Sequence, residues 1–227
     1  MSRAWVVPTQ EHHFGFLNLD RPRKVEKWCA CFAPDPNGVS RYVRRLFLQA
    51  VELPYLEGSK EHLLAFTRVE CLTVDHCSCV FQLPSMEWFP QMESRLAELQ
   101  LSGSSATPHN VTSLLSALPR LKNLEIYDLV PMDGDETNLP TISQVLFFQG
   151  ANCLTLYPNY CGSYPSWFLS WVPSSAWLTQ LEMDMECALD QLDFINQWLV
   201  SSHPTLNDLT MFWNCSHGNM VYISLSH

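Results

Sequence analysis

Five consecutive residues, Asp75-His76-Cys77-Ser78-Cys79, bring two thiols, an imidazole and a carboxylate together, a donor set that zinc accepts. A structural zinc site needs two separated ligand pairs. The chain offers no C-x-x-C or H-x-x-x-H pair to complete four ligands, so no metal is expected. Cys29-Ala30-Cys31 has the spacing C-x-C rather than the redox spacing C-x-x-C. It sits in the apolar run Trp28 to Phe32, so buried, unreactive thiols are expected. His12 and His13 are adjacent; in a strand they would point to opposite faces, and solvated or half-buried rings are expected instead of a ligand pair.

Motifs for nucleophilic or phosphate chemistry are missing. Gly162-Ser163 lacks the second glycine of a nucleophile elbow, and neither G-x-x-x-x-G-K-[ST] nor G-x-G-x-x-G occurs. Asp184 and Glu186 could serve as acid and base only in a pocket that sequence does not define. Trp167, Trp171, Trp177 and Trp198 fall between strand motifs and read as packing residues rather than a ligand cage. The expectation is no catalytic residue, no cofactor, no metal and no enzyme. An undetected hydrolase or metalloenzyme is the remote alternative.

The elements that position the remaining residues follow from a repeat. An apolar residue, two free positions, an apolar residue, one free position and a third apolar residue recur eight times. Phe14-x-x-Leu17-x-Leu19 is the first hexad, and Val43-x-x-Leu46-x-Leu48 and Val69-x-x-Leu72-x-Val74 follow. Next are Leu96-x-x-Leu99-x-Leu101, Leu121-x-x-Leu124-x-Ile126 and Ala151-x-x-Leu154-x-Leu156. Leu178-x-x-Leu181-x-Met183 and Leu206-x-x-Leu209-x-Met211 complete the series. The central leucines are 25 to 30 residues apart. Their average spacing, about 27, lies within the range of leucine-rich repeats. Cys77, Asn159 and Asn214 fall where that pattern places Asn or Cys, and Pro119 and Pro204 stand five residues ahead of their central leucines.

The alternation inside each hexad is strand periodicity; between hexads it shifts toward helix. Val111, Leu114, Leu115 and Leu118 lie on one helical face with Asn110 as N-cap, and Leu192, Ile195 and Leu199 repeat the pattern. Residues 60–67 and 141–149 read as shorter helices. A strand–loop–helix–loop unit cannot bury its own apolar face, so units must stack. The expected fold is α/β: a leucine-rich-repeat solenoid, a ribonuclease-inhibitor-like arc with parallel strands on the concave face and helices on the convex face. Residues 221–227 read like the interior of a further unit, and an arc open at both ends suggests a piece of a longer protein.

Composition narrows the function. The chain has 227 residues, 47% hydrophobic and 16% charged, which is globular rather than disordered. A formal net charge of −10 argues against nucleic acid and anionic membranes, both of which need a basic surface. Nine irregularly spaced cysteines and no apolar leader or spanning segment point to the reducing cytoplasm or nucleus. The sequons at Asn110 and Asn214 then read as chance.

Residues between and beyond the apolar strand positions should face outward. The acids Asp75, Glu98, Glu125, Glu182, Asp184 and Asp208 recur there, with the aromatics Tyr127, Tyr157 and Phe212 among them and Gln100, Asn123 and Thr155 between. Aromatic anchors among acids fit a protein partner that offers a basic segment. The plainer alternative is a solvated polar face.

Segments 2–20, 39–49 and 66–77, together with Leu114 to Ile126, resemble the F-box-associated leucine-rich repeat proteins of mushroom-forming fungi. Residues 1–13 then resemble the end of an F-box, and residues 14–227 form a repeat domain of about seven to eight units. The resemblance implies the substrate-binding part of a receptor for a cullin (SCF-type) ubiquitin ligase. The F-box that would dock a Skp-type adaptor should precede Ser2; only what resembles its last turn is present, so the adaptor is expected only with an F-box upstream. A free-standing scaffold, or a competitor that recruits no ligase, is the alternative.

Overall fold

The computed structural model describes residues 9–10, 12–50, 58–77, 95–103, 105–106, 114, 117–118, 120–127, 130–131, 153–157, 179–184, 197, 199–200, 206–214 and 220–226. The strands are β1 (Phe16–Leu19), β2 (Arg45–Gln49), β3 (Cys71–Asp75), β4 (Glu98–Ser102), β5 (Ser105–Ala106) and β6 (Asn123–Tyr127). They continue as β7 (Val130–Pro131), β8 (Cys153–Tyr157), β9 (Gln180–Asp184), β10 (Asp208–Asn214) and β11 (Met220–Ser226). Among the described residues, two helices, α1 (Pro22–Cys31) and α2 (Lys60–Leu64), and a 3-10 turn at Val39–Tyr42 lie between the first strands.

The main sheet has the order β1-β2-β3-β4-β6-β8-β9-β10-β11, so chain order and spatial order coincide. The first eight of these strands pair parallel. Each central leucine lies opposite the next: Leu17, Leu46, Leu72, Leu99, Leu124, Leu154, Leu181 and Leu209 form one unbroken rung. Leu46, Leu72, Leu99, Leu124, Leu154 and Leu181 are all buried. The third hexad position makes a second rung, in which Leu48, Val74, Leu101 and Ile126 are buried as well. A slip of one residue would turn both rungs outward, so burial itself fixes the register.

The backbone repeats as faithfully as the side chains. Ahead of β1, β2, β3 and β4 one carbonyl accepts two N–H groups from the next unit: Gly15 from Arg44 and Arg45, Arg44 from Glu70 and Cys71, Glu70 from Ala97 and Glu98, Ala97 from Lys122 and Asn123. Behind the strands, Ala50, His76 and Gly103 each stand four residues after a central leucine and take the left-handed conformation, with φ of 49°, 51° and 58°. Their N–H groups donate to the carbonyls of Asp75, Ser102 and Tyr127 in the following strand. This turn ends β2, β3 and β4 while keeping the amide that follows each strand paired.

Helix α1 has Pro22 in its first turn, where a missing N–H costs nothing. Val25 and Trp28, three residues apart, are its buried residues. The Trp28 ring lies 4.4 Å from Phe32 and 5.8 Å from Phe66, which joins the first crossover to the second. At its start Lys24 Nζ bonds Asp20 Oδ2 at 2.7 Å and holds that carboxyl below its usual range. Helix α2 ends at Leu64, three residues before the expected limit, and buries Leu63; its His62 Nε2 lies 3.0 Å from the carbonyl of Phe32.

Two expectations need correction. Residues 220–226 do not start another parallel unit: β11 pairs antiparallel with β10 along its whole length. Five residues separate Asn214 from Met220, too few for a parallel crossover, which takes a dozen or more. His12 and His13 lie in a helical stretch and not in a strand; both are exposed, in keeping with the solvated rings expected, with ring centroids 5.6 Å apart. Cys31 is exposed and Cys29 half-buried, because the inward face of α1 is already occupied by Val25 and Trp28. Leu114 and Leu118 are both buried, but among the described residues of that expected helix only Leu114 is helical: Ala117 lies in a turn and Leu118 outside any helix. Residues 110–113, 115, 116 and 141–149, Leu192, Ile195 and the four tryptophans at 167, 171, 177 and 198 lie outside the described residues; of the helix expected with Leu192, residues 197, 199 and 200 are described and helical, with Leu199 half-buried and Val200 exposed. Among the described residues no helix is long and apolar enough to cross a membrane.

Candidate functional site

In a strand the neighbours of a buried residue point to the opposite face. The two leucine rungs therefore carry three outward rungs with them. The first holds Arg45, Cys71, Glu98, Asn123, Cys153, Gln180 and Asp208 in register. The second holds Phe47, Thr73, Gln100, Glu125, Thr155, Glu182 and Thr210. The third runs from Gln49 through Asp75, Ser102 and Tyr127 to Tyr157, and Asp184 pairs with Phe212 further along. All twelve residues singled out in the sequence occupy these rungs. For Tyr157, Glu182, Asp184 and Phe212 the backbone gives the register position, and their side chains lie outside the described set.

The outward side chains bond one another across strands. Gln49 Nε2 donates to Asp75 Oδ2 at 2.6 Å, and Thr73 Oγ1 donates to Gln100 Oε1 at 3.1 Å. Within one strand, Tyr127 donates its hydroxyl to Glu125 Oε2 at 3.2 Å, which fixes a phenol ring beside a carboxylate. His76 Nε2 lies 3.7 Å from Asp75 Oδ1 at the sheet margin. Glu98 and Asp208 are exposed, while Asp75, Gln100, Asn123, Glu125 and Tyr127 are half-buried. Thr155 departs from the outward expectation: it is 5% exposed, with Cys153 Sγ 3.9 Å from its hydroxyl, and offers a partner almost no surface. Across β2 to β10 the three rungs carry six acids against one base, Arg45, so a cation near this face meets an attractive field.

That base belongs to a feature the hexads did not disclose. Ahead of β2, β3, β4 and β6 lies an open groove of about 580 Å³. Arg44, Arg45, Arg95 and Arg120 line it with Glu70 and Glu98. Cys71 lies against both Arg45 and Glu98; burial is the main cause pushing its thiol up, with Arg45 opposing and Glu98 adding. Arg44 Nη1 is 3.4 Å from Glu70 Oε1, both partly exposed, a geometry that contributes little stability. A signal was present in the sequence: Arg68, Arg95 and Arg120 each stand four residues before a central leucine. It lies one position upstream of the hexad, where no apolar pattern draws attention to it.

Among the described residues no group of three or more His, Cys, Asp or Glu is arranged to hold a metal ion. Cys77, from the sequence's one metal candidate, is 2% exposed, and its thiol donates to the carbonyls of Asp75 at 3.3 Å and Leu48 at 3.8 Å. It thus ties β3 to β2, a structural use of the position; Cys79 lies outside the described residues. Comparison with protein-family models, curated proteins and solved structures returned no match.

Proposed function

We propose that the chain is a leucine-rich-repeat solenoid whose outward sheet face holds a protein partner through a basic segment. One observation carries the reading: the strands stack in register, so that Asp75, Glu98, Glu125 and Asp208, far apart in sequence, stand on a single surface with Tyr127 among them. Repeat arcs offer such extended faces for binding. Tyrosine gives large contact area at small entropic cost, and its bond to Glu125 preorganises it further. Complementary charge would steer a basic segment to the face and set its direction along the stack.

By the resemblance of the opening segments and repeats, this is the substrate-holding half of an F-box receptor that acts in the cytoplasm or nucleus. It engages a Skp-type adaptor when an F-box precedes it, and acts as a free-standing scaffold otherwise. Pulldown with this chain and with an F-box-bearing extension, read by mass spectrometry, separates the two. The receptor reading requires one shared partner and the adaptor with the extension alone. For the partner so identified, Tyr127→Ala with Tyr157→Ala should weaken binding about tenfold or more, measured by titration of the purified proteins. Unchanged affinity would place the contact elsewhere.

A further inference from the structure

The groove ahead of the strands has the opposite sign to the rest of the molecule. Four arginines face two glutamates in a protein whose formal net charge is −10. Arg44 is engaged with Glu70, and Arg45 lies against Cys71. Arg95 and Arg120 are exposed, and among the described residues neither has an ion-pair partner. They project from equivalent positions of neighbouring units, whose strands β4 and β6 are directly paired and so about 4.8 Å apart. Two guanidinium forks at such a spacing suit one compact anion with several acceptor oxygens.

We propose that this groove binds a phosphorylated serine or threonine of a peptide segment, with Arg95 and Arg120 as the phosphate ligands. The choice of anion follows from charge and size. A carboxylate brings one charge and two oxygens, too little to separate the groove from a field that repels anions elsewhere. A phosphomonoester brings up to two charges and three strong acceptors in one group. A nucleic-acid strand would run past the groove onto the acid-bearing rungs, which repel its phosphates. The groove shares Arg45 and Glu98 with the sheet face, but the phosphate ligands Arg95 and Arg120 stand outside the three outward rungs, so the proposal stands or falls without the sheet-face contact.

The test uses the whole chain and two fluorescein-labelled Gly/Ser peptides of the same length, one with a central phosphoserine and one without, followed by anisotropy at low salt. The phosphopeptide should bind about tenfold or more tighter than its twin. Raising the salt should weaken it, and inorganic phosphate should compete. Arg95→Gln with Arg120→Gln should erase the preference; both sites are exposed, and an unchanged melting curve would show that the variant folds. Asp75→Asn with Glu125→Gln, on the sheet face, should leave it intact. Equal binding of the two peptides, no binding of the phosphopeptide, or a preference that survives the double arginine variant would each overturn the proposal. Tighter binding of a single-stranded oligonucleotide than of the phosphopeptide would overturn it in favour of nucleic acid.

Discussion

Three residues at one repeat position respond to the same backbone demand with different chemistry. Ala50, His76 and Gly103 all have positive φ, where a Cβ costs roughly 1–2 kcal/mol. Glycine stands where the demand is doubled, because a Cβ on residue 103 would overlap the His76 ring. Gly103→Ala should therefore lower stability by about 1 kcal/mol or more, whereas Ala50→Gly should raise it by a few tenths of that. Urea midpoints moving in opposite directions would bear this out; equal shifts would remove the strain argument. Thiols offer a second residue-scale test. Cys31 is exposed, Cys77 is 2% exposed, and burial pushes the Cys29 and Cys71 thiols up. A raised thiol pKa means less thiolate at neutral pH, so Cys29 and Cys71 should alkylate more slowly than Cys31 and gain rate only as pH climbs past the ordinary thiol range. Cys77 should react only on unfolding. Mass spectrometry of peptides after brief iodoacetamide treatment reads the order, and early labelling of Cys77 would contradict the burial described.

At the scale of elements, the rungs matter more than any single strand. Leu124 is fully buried and lies between Leu99 and Leu154 on the central rung. Leu124→Ala leaves a void that neighbours held by their own rungs cannot fill, so a loss of about 2–5 kcal/mol is expected. Val200 is 71% exposed, and Val200→Ala should cost within about 0.5 kcal/mol. Chemical denaturation of both variants separates the cases, and similar losses would mean that the rung is not the core. The crossovers were the harder part to read. Helix α1 shows only Val25 and Trp28 as an inward stripe, too short a signal beside the apolar run through Phe32. Strand β11 has the alternation of an interior strand, and its direction is set by the short connection from β10 rather than by its own residues.

For the whole molecule, charge is arranged rather than merely summed. An acidic sheet face and an arginine-lined groove adjoin along the N-terminal ends of the strands, with Arg45 and Glu98 common to both. A partner with a basic stretch and a phosphorylated residue would match both signs at once. Its register along the stack would be set by where the sign changes.

The amino-acid sequence by itself determined the strands and their alignment: a hexad repeated at near-constant spacing leaves stacked, in-register pairing as the way to bury every central leucine. It also named the outward residues, because alternation in a strand is a matter of counting. Tertiary structure decided what those residues meet. Thr155 is covered although its position is outward, Cys31 is exposed although its surroundings are apolar, and Arg44, Arg45, Arg95 and Arg120, spread over 77 positions of the chain, line one groove. Cys31 is turned out by its own helix, whose inward face Val25 and Trp28 occupy; the other two share one physical reason. Periodicity fixes the direction of a side chain from its own backbone, whereas burial and charge pairing depend on atoms contributed by neighbouring units.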